Sequence, residues 1–121
     1  MKKIIRYLFA SFFIIAGLNH FFMPDFYLDL IPPYIPFHDL VNFVSGFIEV
    51  GLGAMLFYKG TQYVASIGIM LLMVAFIPAH IYFIQMGNCI EGGLCVPDWV
   101  GWARLLVIHP ILIYTAYYLR K

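Results

Sequence analysis

The sequence predicts an all-α integral membrane protein, a four-helix bundle with both termini cytoplasmic. Three observations carry this. Of 121 residues, 64% are hydrophobic and 11% charged, with a mean hydropathy of +0.91, more apolar surface than a soluble domain of this length can bury. The apolar residues fall into four runs of membrane-spanning length, about 20 residues each. The charges between those runs sort by sign. The length admits one domain, 1–121, with helices expected at about 4–22, 39–58, 63–86 and 98–119.

The first run follows Lys2, Lys3 and Arg6 and continues from Ile4 to Phe22. A signal peptide is the rival reading, but Ile14-Ile15-Ala16-Gly17 fits a cleavage site poorly, so a retained helix is expected. From Met23 to His38, Pro24, Pro32, Pro33 and Pro36 forbid a continuous helix. The interspersed Phe and Tyr residues suit the headgroup layer. This stretch is expected to be a Pro-rich interfacial loop across the bundle mouth, with a short helix over Asp25 to Ile31; a plain connection is the alternative. The second helix gives way to a tight turn at Lys59-Gly60-Thr61-Gln62. The third is interrupted by Pro78. A hydrophilic loop, Gly87 to Pro97, precedes the fourth helix, which contains Pro110.

Four spans return both termini to one side. Lys2, Lys3, Arg6, Lys59, Arg120 and Lys121 then share that side, six of the seven basic residues. Asp25, Asp29, Asp39, Glu91 and Asp98, five of the six acids, fall on the other. Lys and Arg mark the cytoplasmic face. The net charge of +1 gives no reason to expect nucleic acid as a partner.

Glu49 and Arg104 do not belong to either surface. Glu49 lies ten positions past Asp39, about 15 Å deep at helical rise and near the bilayer midplane, where a carboxyl group needs a partner or a proton. Ser45, Glu49 and Gly53 are spaced i, i+4, i+8, so the two small residues are expected to let another helix approach that face. Arg104, about 9 Å into the fourth helix, is the expected partner of Glu49. The pair either serves packing alone or belongs to a site. Asn19 and His20 close the first helix, and His80 lies at similar depth in the third, just past Pro78. That proline should free the carbonyl of Val74. Each helix thus contributes a polar group, and the expected ligand-binding set is Asn19, His20, Glu49, His80 and Arg104, lining a pocket that opens outward. His109 is five residues beyond Arg104, about 140° around a regular helix, and is excluded. No residue is assigned as catalytic, although Glu49 is the natural proton carrier. The His spacing supports neither haem nor metal.

Cys89 and Cys95 share the predicted outer loop, separated by Ile-Glu-Gly-Gly-Leu. They are candidates for a structural disulfide; free thiols and a redox-active pair are the other readings, the last weakened by the absence of a Cys-x-x-Cys spacing.

Ala16-Gly17-Leu18-Asn19-His20-Phe21, Pro24, Phe26-Tyr27 and Ile31-Pro32-Pro33-Tyr34-Ile35-Pro36 resemble the DoxX-like family of small four-helix membrane proteins. Ser45-Gly46, Glu49, Pro78-Ala79-His80-Ile81-Tyr82 and Arg104 are similar to its pattern as well. The Cys89/Cys95 loop is not part of it. The resemblance implies the bacterial cytoplasmic (inner) membrane and a link to quinone-dependent redox systems or to assembly of larger enzymes. The expected function is therefore binding of a small amphipathic ligand, a quinone or another lipid, in support of a membrane redox system. A non-enzymatic accessory partner of a larger redox enzyme is the alternative, and neither the oligomeric state, homo-oligomer included, nor enzymatic activity follows from the residues.

Overall fold

The computed structural model describes residues 1–91, 93 and 95–121. The helices are α1 (Lys2–Phe22), α2 (Pro24–Leu28), α3 (His38–Leu56), α4 (Gln62–Ala75), α5 (Ile77–Gln85), α6 (Asp98–Ala103) and α7 (His109–Leu119). A tight 3-10 turn, Lys59–Thr61, joins α3 to α4, and a π-helical turn, Arg104–Ile108, joins α6 to α7. Among the described residues no strand forms beyond one antiparallel bridge between Cys89 and Cys95. Four helical stretches are long and apolar enough to cross a membrane: Lys2–Phe22, His38–Leu56, Lys59–Gln85 and Asp98–Leu119. Leu8, Ile15, Phe47, Leu71, Leu106 and Tyr114 stand exposed on their outer faces. In a hydrocarbon solvent such side chains need no cover.

The tightest packing is between α1 and α3, and glycine makes it. A Cβ on Gly46 would lie 2.7 Å from the Cβ of His20 and 2.9 Å from the Gly17 carbonyl oxygen, while one on Gly53 would lie 2.9 Å from the Ala10 carbonyl oxygen. The two backbones touch, as helix association within lipid favours. The buried stripe of α3 is Asn42, Gly46, Glu49, Gly53 and Leu56. This corrects the expected Ser45–Glu49–Gly53 face: a straight helix drifts off a strict i+4 row, so Gly46 takes the close contact and Ser45 turns aside.

Phe9, Ala10 and Phe13 of α1, Leu56 of α3, Ala65, Ile69 and Met73 of α4, and Ala116 and Leu119 of α7 form the main core. At its far end Arg6 donates to the Gln62 side chain at 2.9 Å, and Gln62 donates to the Leu119 carbonyl at 2.6 Å. Lys2 sits over the Tyr118 ring. Both chain ends and the Lys59 turn therefore meet at one end of the bundle. Arg6 is buried there, a structural cation rather than the surface charge its position suggests.

The opposite end carries the two long loops. The short helix there begins one residue before its expected start, because proline suits the first helical position, and ends earlier, at Leu28. After α5, Gly87 and Asn88 take left-handed conformations, with Asn88 N–H on the Phe83 carbonyl and Gly87 N–H on that of Ile84. This is a Schellman cap, which satisfies the last carbonyls of the helix. Cys89 and Cys95 are joined as a disulfide across the adjacent bridge. Between the two cysteines, Gly92 and Leu94 lie outside the described residues. Asn88 inserts against Gly101 so closely that a Cβ there would overlap its amide.

Gly46→Val forces backbone apart and should lower stability by about 1–3 kcal/mol. Gly51, which has nothing within 4 Å of its would-be Cβ, provides the contrast: Gly51→Ala should leave stability unchanged or raise it by up to about 1 kcal/mol. Thermal unfolding in detergent compares the two.

Candidate functional site

The site begins with a missing hydrogen bond. The carbonyl of His20 would accept the N–H four residues on, but that residue is Pro24. Asn42, one turn from Gly46 on the contact face of α3, fills the gap: its Nδ2 donates to the His20 carbonyl at 2.9 Å. A carbonyl only accepts, so this bond fixes which end of the Asn42 amide is nitrogen. Asn42 Oδ1 then lies 2.8 Å from His20 Nδ1, and Nδ1 must carry the hydrogen. His20 Nε2 is left pointing at Glu49 Oε2, 2.7 Å away. Both groups are buried. Glu49 Oε2 has no hydrogen-bond partner among the described residues, so the contact with His20 is electrostatic.

Two lone pairs at that separation repel. A proton on either partner, as imidazolium with carboxylate or as neutral imidazole with carboxylic acid, turns that repulsion into attraction. The pair is neutral overall in either form. Tyr27 of α2 stacks on the His20 ring with centroids 3.8 Å apart and planes 15° from parallel. Its hydroxyl accepts from Asn19 Nδ2 at 2.8 Å. Burial above all, then the nearby Glu49, pushes the Tyr27 phenol above its ordinary range, against the Asn19 hydrogen bond and Arg104.

The facing wall is also shaped by proline. Helix α4 ends at Ala75 and α5 starts at Ile77, and at this break His109 Nε2 donates to the Met73 carbonyl at 2.5 Å. The carbonyl taken up by a side chain is thus that of Met73, one residue before the expected Val74. His80 and His109 meet edge to face, ring centroids 4.7 Å apart. Pro110 removes the N–H that the Leu106 carbonyl would accept, and the turn before it widens, with the His109 N–H bonding the Arg104 carbonyl. Five residues then complete about one turn, the i→i+5 spacing of a π-bulge. This brings His109 to the face from which a regular helix excludes it, and both His109 and Arg104 line the same cavity.

That cavity has a volume of about 540 Å³. Its walls are apolar along Phe13, Ile48, Leu72, Phe76 and Leu112, with Leu30, Ile31, Pro32 and Ile35 of the Pro-rich loop over it. Its polar groups are His20, Tyr27, Asn42, Ser45, Glu49, His80, Arg104 and His109. Of the five expected ligand-binding residues, His20, Glu49, His80 and Arg104 line it. Asn19 does not; it reaches the cavity only by holding Tyr27.

The expected Glu49–Arg104 pair does not form. Equal depth on two helices says nothing about lateral position, and His20 of α1 reaches Glu49 first. Arg104 instead stands over the Phe83 ring, 5.0 Å from its centroid, and its Nη1 is buried without a hydrogen-bond partner among the described residues. Tyr27, Asn42 and His109 escaped the sequence reading. Asn42 was legible as the i−4 neighbour of Gly46 opposite a proline-orphaned carbonyl, whereas nothing in the residue pattern announces the π turn. Among the described residues, no cluster of three His, Cys, Asp or Glu is placed to hold a metal.

Residues 9–120 match a family described as a domain of unknown function, DUF8561. No curated protein matches the chain, and no solved structure does. The match overturns the resemblance to the DoxX-like family. The physical reason is that the shared pieces are short and generic to small bundles: a helix ending before proline, an aromatic proline loop at the headgroups, small residues at a helix contact.

Asn42→Leu leaves the His20 carbonyl without a donor and frees the imidazole to change tautomer. It should cost about 1–3 kcal/mol, read as a lower melting temperature in detergent, whereas Ser45→Ala on the neighbouring face should change it little.

Proposed function

The chain belongs to the DUF8561 family, and from that premise we propose that it binds a small amphipathic ligand, a quinone or another lipid, inside the membrane. The cavity carries this reading: about 540 Å³, in the range of small-molecule sites, mostly apolar with a few convergent polar groups. Phe13, Leu72, Phe76 and Leu112 would take the apolar body, and the His20–Glu49 pair, His80, Arg104 and His109 the head. Intramembrane ionisable groups are costly, and Glu49, His80 and Arg104 answer no backbone group of the bundle among the described residues. A proton held by His20 or Glu49 would give the site a donor to a ligand oxygen. The redox association came with the DoxX-like resemblance and has no support apart from it.

The ligand reading is tested by mass spectrometry of what co-purifies in mild detergent. A stoichiometric amphiphile is expected from the native chain. Ala16→Phe, which fills the cavity from α1, should lose it while the melting temperature stays within a few degrees, roughly the effect of 1 kcal/mol. Equal occupancy in both would sink the assignment of the ligand to this cavity.

The same proposal includes an orientation. Lys2, Lys3, Lys59, Arg120 and Lys121 gather at the terminal end, and basic residues favour the cytoplasm. Independently, the Cys89–Cys95 disulfide sits at the other end, and disulfides persist in oxidising compartments. Both indicators favour having both termini inside, and the membrane we propose is a bacterial cytoplasmic (inner) one. Reporter fusions at Lys59 and Lys121 should therefore read cytoplasm and one at Glu91 the outside; a cytoplasmic signal at Glu91 would reverse the orientation.

A further inference from the structure

We infer that the ligand held by this cavity carries an anionic head group on a single apolar chain, and that Arg104 pairs with it. The inference rests on the ligand-binding reading above and narrows it to a chemical class. It follows from counting charge. The Asn42 amide, fixed by the His20 carbonyl, puts a hydrogen on His20 Nδ1. Glu49 Oε2 is held 2.7 Å from His20 Nε2, a contact that is attractive only with a proton on one of the two, which leaves the pair without net charge. Glu49 is thereby unavailable to neutralise Arg104.

No other acid lines the cavity; its remaining titratable groups are Tyr27, His80 and His109, none of which supplies a negative charge near neutral pH. Arg104 keeps its charge at any ordinary pH. Its contact is the face of Phe83, and Nη1 is buried with no acceptor among the described residues. A guanidinium left so within a membrane-spanning helix is expensive, and an anion is the partner that removes the expense. The volume of about 540 Å³ suits one chain. The head chemistry that fits a guanidinium fork is a carboxylate or a phosphate. A neutral quinone leaves Nη1 with a weaker, uncharged acceptor.

The test compares three probes of one chain length, oleate, oleyl phosphate and oleyl alcohol, on the native protein in detergent, with decylubiquinone beside them as a neutral quinone of shorter chain. Displacement of a fluorescent fatty acid gives the affinities. Oleate or oleyl phosphate is expected to bind about tenfold or more tighter than oleyl alcohol, the equivalent of one hydrogen bond to a charged group. Whichever of the two binds tighter identifies the head as carboxylate or phosphate. Arg104→Gln should abolish the preference while oleyl alcohol still binds, and Arg104→Lys should retain part of it. Equal affinity of the native protein for acid and alcohol, or tighter binding of the quinone, overturns the anion inference and leaves the cavity reading standing. Binding of none of the four overturns both. The native protein alone decides the charge question even if Arg104→Gln fails to fold.

Discussion

The arrangement of this bundle's polar interior depends on one absent N–H. Pro24 cannot answer the carbonyl of His20, and Asn42 answers it from the neighbouring helix. Everything on that wall follows in sequence. The amide is oriented, the imidazole takes one tautomer, and its second nitrogen is aimed at Glu49. The close α1–α3 approach at Gly17 and Gly46 makes the exchange geometrically available, since a bulkier residue at either position would push Asn42 out of reach. A backbone defect in one helix thus becomes a side-chain specification in the next.

The opposite wall repeats the device with different residues. Pro78 breaks the third span, and His109 bonds to an exposed carbonyl there; Pro110 precedes no regular turn but follows a widened one. Proline in a membrane-spanning helix is tolerated when neighbours satisfy nearby backbone groups, and beside Pro78 His109 bonds the Met73 carbonyl. Two of the polar residues that look like a chemical inventory, Asn42 and His109, are bonded to backbone carbonyls, His20 and Met73, close to prolines. Among the described residues, what exceeds that need is Glu49, His80 and Arg104, none of which bonds a backbone carbonyl.

The fold was largely legible because hydrocarbon imposes simple rules. Apolar run lengths located the spans, the prolines located the loop and its short helix, and depth along each helix gathered His20, Glu49, His80 and Arg104 into one layer. Lateral partnership was not legible. Pairing Glu49 with Arg104 used depth alone, and depth does not tell which of three neighbouring helices is nearest. His109 was lost to the assumption of 100° per residue, which a single π turn invalidates. Ser45 was preferred to Gly46 because i+4 spacing was extended over two turns, long enough for the stripe to drift. The family resemblance failed for a related reason: short motifs dictated by bilayer chemistry recur wherever that chemistry does.

The hydrogen-bonded link from Arg6 through Gln62 to Leu119 has a mechanical consequence. It rivets α1, α4 and α7 together at the chain-terminal end, while α1 and α3 are fused along their length by backbone contact. Compliance is therefore confined to the remaining wall, and that wall has two joints at one level: the break at Phe76 between α4 and α5, and the π turn at 104–108. Both are sites where helices bend with little loss of bonding. The bundle can enlarge or shrink its interior by flexing one jointed side against a rigid one, without parting any pair of helices. For the ligand proposed above, chain length would then be the property to which such a chamber is most tolerant, and head-group chemistry the one to which it is least.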